Sequence, residues 1–142
     1  MNIVVDANIL FSALIRDSMT RRLILEYDEQ FLFPDYVFFE MEKHKKVLLK
    51  KSKMSENDFD DFLRLMLQKI SVVPNEILRP YCKEAYEIIK DIDPDDEMFI
   101  ACALAYKNCV LWSNDKALKK QSRVKVLNTS EIKILFETKI VN

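Results

Sequence analysis

The fold is decided by the stretch IVVDAN at residues 3–8, where a β-branched run ends at the carboxylate of Asp6. Such a run suits a strand that is buried on both faces of a parallel sheet. Similar short apolar runs return along the chain at residues 31–33, 71–73, 109–112 and 124–127. Because helical segments separate these runs, the pattern predicts an α/β sandwich with a central, mainly parallel sheet of four to five strands.

Helical periodicity fills the segments between the strands. We predict helices over residues 7–27 with a break near Asp17-Ser18, over 35–51, from an N-cap at Ser55 to about Ile70, over 78–90, over 96–107, just after Asp115 and from about Ser130. One face of the helix over 35–51 is expected to carry Val37, Met41, His44 and Leu48. Residues 98–105 are apolar almost all round, which predicts a buried helix.

The composition is that of an ordinary globular chain, and we expect its 142 residues to form one domain over 1–142. The net charge of −1 neither indicates nor excludes a nucleic-acid partner. Glycine is absent, although the Gly-rich phosphate loop and the dinucleotide fingerprint both need glycine for close backbone approach. The composition therefore argues against the usual nucleotide triphosphatases and nicotinamide enzymes.

No apolar run approaches the roughly 20 residues of a membrane helix. Residues 1–6 lack the basic region and long apolar core of a signal peptide. We therefore expect a cytoplasmic protein without a membrane partner. The three cysteines share no metal-ligand spacing, so we interpret them as small buried thiols.

Three acids lie where parallel strands or a buried helix would place them at one edge of the sheet. Asp6 ends the first strand, Asp115 follows a later strand, and Asp96 precedes the apolar helix. Taken singly, Asp96 and Asp115 are explained better as helix caps, and Asp6 could also be a cap. The carboxyl ends of parallel strands form the ligand crevice of an open sheet, and the convergence of all three acids there indicates a site.

A fourth acid, Glu40, lies beside the apolar face of its predicted helix. Alone it would more often be a surface glutamate at the edge of an apolar stripe, but with the other acids it can reach the same crevice. Carboxylates within roughly 4–6 Å of one another repel, and a bound cation relieves that repulsion. Oxygen ligands of this kind favour Mg²⁺ or Mn²⁺, and such sites commonly act on phosphodiesters.

The acidic stretch at residues 91–97 begins like a calcium-binding loop. However, Asp96 stands where such a loop requires glycine, and Cys102 stands where it requires glutamate. We therefore interpret most of these acids as a solvated helix entry. Asp96 or Glu97 is the functional candidate.

Four segments, in order, resemble the motifs of PIN domains: Asp6-Ala7-Asn8, Pro34-x-Tyr36-Val37-x-x-Glu40, Asp96-x-x-Phe99-Ile100-Ala101-x-Ala103-Leu104 and Leu111-Trp112-Ser113-x-Asp115-Lys116. The whole chain is similar in length to a stand-alone PIN domain, including VapC-type toxins. The resemblance implies a three-layer α/β/α fold. The glycine that usually follows the third helix is replaced near Asn108, which we expect to alter only a turn.

The resemblance also implies metal-dependent cleavage of RNA. Its acidic set falls on Asp6, Glu40, Asp96 and Asp115, with metals on Asp6, Asp96 and Asp115 and with Asn8 and Ser113 in support. Glu97 nearly fits the third motif, but the spacing to Ala101 and Ala103 favours Asp96. The implied function is an Mg²⁺- or Mn²⁺-dependent endoribonuclease, the toxin of a toxin–antitoxin pair, with an RNA substrate and an antitoxin partner.

A homodimer is implied as well. In PIN domains the helical pair that here carries Met54, Phe59, Phe62 and Met66 often serves as a dimer or antitoxin surface, although these residues could equally pack onto the sheet. Basic residues follow Glu40 and Asp115, and we take Lys43, Lys46, Lys116 and Lys119 as candidates for contact with RNA phosphates. Such runs are usually only a solvated face, and His44 is expected to be an exposed helix residue without a catalytic role.

Two rival functions are open. A catalytically idle PIN domain could bind RNA or a protein partner, but the presence of all four acids disfavours it. An aspartate-nucleophile phosphatase would carry a second aspartate two positions after Asp6, where this chain has Asn8.

Overall fold

A computed structural model describes residues 1–15 and 18–141 of the chain. Within these residues the strands are β1 (Asn2–Val5), β2 (Gln30–Pro34), β3 (Ile70–Val73), β4 (Cys109–Trp112) and β5 (Val126–Leu127). They form one sheet in the order β3-β2-β1-β4-β5, and every neighbouring pair is parallel. The predicted α/β class and parallel sheet are confirmed.

The described helices are α1 (Ala7–Ile15), α2 (Ser18–Glu26), α3 (Asp35–Lys43), α4 (Lys45–Ser52), α5 (Glu56–Lys69), α6 (Asn75–Leu78), α7 (Cys82–Ile89), α8 (Glu97–Ala105) and α9 (Thr129–Val141). Short 3-10 turns occupy Arg79–Tyr81, Pro94–Asp96 and Lys116–Lys120. Among the described helices, none is long and apolar enough to cross a membrane.

The order of the strands creates a crevice between β1 and β4. From β1 the chain moves outward through β2 to β3, and it then crosses back to place β4 on the other side of β1. Because crossovers between parallel strands are right-handed, helices before and after this reversal cover opposite faces of the sheet. Val5 lies beside Trp112 in the register, so both strands end at the same edge. Ligands bind at such a switch point in open α/β sheets.

Aromatic side chains on one face of β2 join the sheet to the helices that cover it. The Phe33 ring lies 6.0 Å from that of Phe99 on α8, and the Phe31 ring lies 6.2 Å from that of Phe136 on α9. All of these rings are buried. The α8 residues 99–103 are buried as well, which confirms the prediction of a buried apolar helix.

The prediction of one helix over 35–51 is wrong at His44. The backbone leaves helical geometry there, with φ −101° and ψ 9°, so that α3 ends and α4 begins. Because α3 packs against β2 whereas α4 packs against α1, the chain must turn between them. Met41 and Leu48 are buried, but His44 is exposed and shares no face with them.

The helix predicted over 78–90 is also interrupted. Residues 79–81 form a 3-10 turn between α6 and α7. Pro80 lies in this turn and lacks the N–H that a continuous helix would use. The predicted break near Asp17 lies outside the described residues.

Two residues other than glycine adopt a positive φ, Lys53 at 60° and Asn108 at 50°. Asn108 precedes β4, and its carbonyl accepts a hydrogen bond from the Asn2 N–H at 3.0 Å. Asparagine tolerates the left-handed region better than most residues. The replaced family glycine therefore affects a turn, as expected.

The predicted helix after Ser55 is confirmed, because the Ser55 hydroxyl accepts a hydrogen bond from the Asp58 N–H at 3.1 Å. Phe59 and Met66 are buried, and Met54 and Phe62 pack partly buried against the core. Of the two interpretations of these four residues, packing within the domain is the one observed. The three cysteines are free, with Cys102 buried and Cys82 and Cys109 half-buried.

Candidate active site

Asp6 lies at the carboxyl end of β1 and is only 6% exposed. Its carbonyl accepts hydrogen bonds from the Ile9 and Leu10 N–H groups, so the residue also begins α1. Its carboxylate accepts hydrogen bonds from the Ser113 hydroxyl, at 2.6 Å, and from the backbone of the two residues that follow it. Burial nevertheless raises the pKa of Asp6 above its ordinary value, because desolvation outweighs these bonds. Asp6 is therefore both a helix cap and a member of an acidic site.

Ser113 joins Asp6 to the loop that follows β4. Its buried hydroxyl donates to Asp6 Oδ2 and accepts a hydrogen bond from the Asp115 N–H at 3.1 Å. Asp115 is exposed, and its Oδ1 accepts a hydrogen bond from the Ala117 N–H at 3.0 Å. The cap interpretation of Asp115 is thus correct, but the cap also places this carboxylate beside the other acids.

Asp93, Asp96 and Asp115 bring one carboxylate oxygen each within 4.8 Å of one another. We call these three residues together with Asp6 the aspartate cluster. Burial is the main reason why the pKa of Asp96 rises to about 7, and the negative charge of Asp6, Asp93 and Asp115 raises it further. A hydrogen bond with Asp93 also favours the protonated form of Asp96. The four carboxylates are therefore close enough to resist being charged together.

Glu40 reaches the same region from α3. It lines a cavity of about 670 Å³, which we call the acidic cavity, together with Asp6, Ala7, Asn8, Tyr36, Val37 and residues 94–99. The predicted residues Asn8, Asp96 and Glu97 are thus all in its wall. Glu40 is half-exposed and pairs with Lys43 at 3.3 Å. Asp6, Glu40 and Glu97 lie outside the group whose oxygens approach within 4.8 Å, which is Asp93, Asp96 and Asp115.

A second cavity of about 660 Å³ has Asp115 in its wall. It is lined by Ser113, Asn114, Asp115, Lys116, Lys119 and residues 128–130, and we call it the polar cavity. Lys119 pairs with Glu131, whereas Lys116 takes part in no ion pair with any described residue. The other two predicted basic residues are on α3 and α4, where Lys43 pairs with Glu40 and Lys46 is exposed.

The donor set of the aspartate cluster fits a hard divalent cation. It offers carboxylate oxygens alone, and none of its members forms an ion pair with the described lysines and arginines. Oxygen ligands in this number and spacing are those that magnesium and manganese take, usually together with water or phosphate. A cation would remove the repulsion that raises the pKa of Asp96.

The family model of the PIN domain matches residues 4–137. This match covers nearly the whole chain and includes all four acidic motifs.

The chain belongs to the PIN-domain family.

No curated protein matches it. PIN domains are generally nucleases that use divalent metal ions, and the aspartate cluster lies where this PIN domain has its sheet switch point. Family and geometry therefore agree on a nuclease with an acidic site.

Two features of this PIN domain were missed by sequence reasoning. Asp93 was assigned to a solvated helix entry, but its carboxylate lies in the aspartate cluster. Its side chain also accepts a hydrogen bond from the Asp95 N–H at 3.1 Å, which forms the turn before α8. The spacing of Asp93 and Asp96, which places both in one turn, was the available signal.

The second missed feature is the support of the loop that carries Asp115. The indole N–H of buried Trp112 donates to the Thr129 hydroxyl at 3.0 Å. Thr129 in turn donates from its backbone N–H to Asn114 Oδ1 at 2.9 Å. No local pattern links residues this far apart along the chain, so sequence reasoning had no signal for this network.

Proposed function

We propose that this PIN domain is an endoribonuclease that hydrolyses RNA phosphodiester bonds with Mg²⁺ or Mn²⁺. The single observation that carries the proposal is the group of carboxylate oxygens within 4.8 Å, which no described basic side chain neutralises. Within this group we assign Asp96 and Asp115 as metal ligands and Asp93 as an additional acid. Asp6, which Ser113 links to Asp115 through hydrogen bonds, is assigned as the third metal ligand. Divalent ions held there would polarise the phosphate, activate water and stabilise the leaving oxygen.

The residues of the chain have separable roles in this proposal. Ser113 fixes the Asp6 carboxylate through a hydrogen bond and holds the Asp115 backbone, so that the two acids keep one relative position. Glu40 lines the acidic cavity with Asp6 and Asp96, where it would bind metal or orient the attacking water. In-line hydrolysis of this kind leaves a 5′-phosphate and a 3′-hydroxyl.

Asp96 is proposed over Glu97 as the third acid. Its oxygen approaches those of Asp93 and Asp115, whereas Glu97 only lines the acidic cavity. Replacing Asp96 with Asn should therefore reduce cleavage far more than replacing Glu97 with Gln. Comparable losses in the two variants would contradict this choice.

Contact with the RNA backbone is assigned to the basic residues near both cavities. Lys116 is the best placed, because it lines the polar cavity beside Asp115 and is exposed without an ion pair among the described residues. Lys43, Lys46 and Lys119 are proposed as weaker contacts. Binding through these residues should fall as salt increases.

We also propose that the protein is the toxin of a toxin–antitoxin pair and forms a homodimer. An adjacent reading frame for a small partner protein would support the toxin role. The partner surface is not built on Phe59 and Met66, since both are buried in the domain.

The decisive experiment compares wild-type protein with Asp6→Asn in cleavage of a labelled RNA, with added Mn²⁺ and with chelator. We expect cleavage by wild type only with the metal and a loss of at least about a hundredfold in Asp6→Asn. Asp91→Asn, which replaces an exposed acid outside the cluster, is the matched control and should cleave like wild type. Full activity of folded Asp6→Asn protein would refute the assignment, and RNA binding without cleavage by wild type would indicate an idle domain.

A further inference from the structure

An exposed tyrosine forms part of the wall of the acidic cavity. Tyr36 lies in the first turn of α3, lines the acidic cavity together with Asp6 and Asp96 of the aspartate cluster, and is 50% exposed. A half-exposed aromatic ring presents a large apolar surface to water, which favours its being covered when a ligand is present. The lining of the cavity therefore combines acidic side chains with one exposed aromatic ring.

Acidic side chains with a bound metal can hold the phosphate of a nucleotide, and an aromatic ring can contact its base. A phosphate held at the aspartate cluster brings its own sugar and base into the same space, because they are covalently joined. The cavity of about 670 Å³ falls in the size range of small-ligand sites. From this juxtaposition, and resting on the nuclease function proposed above, we infer that Tyr36 stacks on an unpaired RNA base next to the cleaved phosphate.

The contact with Tyr36 requires an unpaired base. A base can present its face to Tyr36 only when that face is not already stacked in a duplex, so the cleaved segment must be single-stranded. Aromatic stacking accepts any base, so the contact positions the strand without reading its sequence. The aromatic surface continues outward at Phe39, which is 62% exposed and lies three positions along the same helix.

RNA is a better occupant of this surface than protein. The ring shares its cavity with Glu40 and Asp6, so a docked polypeptide would have to bring basic side chains into the site. A nucleotide needs no basic side chains, because the metal proposed at the aspartate cluster would bind its phosphate while the Tyr36 ring contacts its base. Lys43, exposed one turn beyond Phe39 and two turns beyond Tyr36, adds a positive charge where the strand would leave the cavity.

The test measures kcat/KM for cleavage of a short unstructured RNA in the presence of Mn²⁺. The substrates are the intact strand, a series with single abasic positions around the cut site, and the strand annealed to its complement. The proteins are wild type, Tyr36→Ala, Tyr36→Phe and the matched control Tyr86→Ala. Tyr86 is 47% exposed on α7 and lines neither of the two cavities.

For wild type we expect one abasic position to lower kcat/KM by roughly 5- to 150-fold, the range that corresponds to loss of one base stack. Tyr36→Ala should show the same loss with intact RNA and no further loss with that abasic strand. Tyr36→Phe should retain wild-type values, because it keeps the ring, and Tyr86→Ala should match wild type throughout. The annealed strand should be cleaved more slowly than the single strand.

The inference is overturned if wild type cleaves every abasic strand as fast as the intact one, a result that needs no variant to fold. It is also overturned if Tyr36→Ala cleaves the abasic strand more slowly than it cleaves the intact strand, so that the two losses in kcat/KM multiply. Unchanged cleavage with an altered oligomeric state of Tyr36→Ala would assign the surface to a protein contact instead. If wild type cleaves no RNA with Mn²⁺, the proposed function itself fails, which is distinguishable from all of these results.

Discussion

At the scale of single residues, burial and mutual repulsion set the chemistry of the aspartate cluster. Asp6 is buried but receives hydrogen bonds that favour its charged form. Asp96 lies among three other carboxylates, and its pKa rises to about 7 because burial and their charges act together. Near neutral pH the metal-free site is therefore partly protonated, and a bound cation would displace that proton.

The raised pKa of Asp96 predicts a pH dependence of stability in the metal-free protein. The folded state binds this proton more tightly than the unfolded chain, whose aspartate pKa is near the ordinary 3.8. The stabilising contribution is therefore complete below about pH 4 and is lost as the pH rises through about 7. The side chain of Asp96→Asn cannot ionise, so this variant should be more stable than wild type at pH 8. The difference in the free energy of unfolding should be larger at pH 8 than at pH 5.

Urea denaturation with chelator, at pH values from 5 to 8, measures this difference. Asp91→Asn serves as the control, because Asp91 is an exposed acid of the same stretch. Its stability should follow that of wild type at every pH. A constant offset between Asp96→Asn and wild type across the range would show that the Asp96 carboxyl does not carry the effect.

At the scale of elements, the site depends on helices that are held in place away from it. Arg21 on α2 donates hydrogen bonds to the carbonyls of Ala13 and Leu14, the latter at 3.1 Å, in the last turn of α1. Its guanidinium also lies 4.4 Å from the centre of the Phe62 ring on α5. The last carbonyls of a helix lack intrahelical partners. The Arg21 side chain therefore supplies hydrogen bonds to the end of α1 and connects α1, α2 and α5.

Arg21→Met should therefore lower the free energy of unfolding by about 2 kcal/mol, because it keeps the aliphatic stem but removes charged hydrogen bonds and the contact with Phe62. Urea denaturation measures the loss. The matched variant Arg22→Met removes an arginine that is 65% exposed and forms only a surface pair with Glu26. Its effect should stay within about 0.5 kcal/mol. Equal losses in the two variants would argue against a specific role of Arg21.

At the scale of the whole molecule, topology assembles the cluster. Asp6 and Asp115 follow β1 and β4, which lie side by side only because the chain crosses the sheet between β3 and β4. Asp93 and Asp96 arrive on the segment that leads into α8, and α8 packs against β1, β2 and β4. Repulsion in the cluster thus opposes folding until a cation is bound, which couples metal binding to global stability.

A divalent ion should consequently raise the melting temperature of wild type. At a free ion concentration of about 100 times the Kd, the expected gain in the free energy of unfolding is about 2.7 kcal/mol. Thermal unfolding with increasing Mg²⁺ or Mn²⁺, followed by chelator, measures the gain and its reversal. Asp6→Asn should gain much less, because it removes a proposed ligand. A rise of the same size in Asp6→Asn would place the ion elsewhere.

The sequence by itself determined the class of the fold. Strands such as β1 and β4 are short apolar runs that can be stable only in the interior of a parallel sheet, and α8 is apolar on every side. The positions of Asp6 and Asp115 after strands were predictable for the same reason, since parallel strands end at one edge. These features depend on local composition and period, which the sequence contains directly.

Only the tertiary structure decided which acids meet and what surrounds them. It brought Asp93 into the cluster, turned the chain at His44 and left Tyr36 exposed in the cavity wall. Burial and distance between carboxylates arise from the packing of segments far apart along the chain. No local pattern encodes such packing, so these properties required the folded molecule.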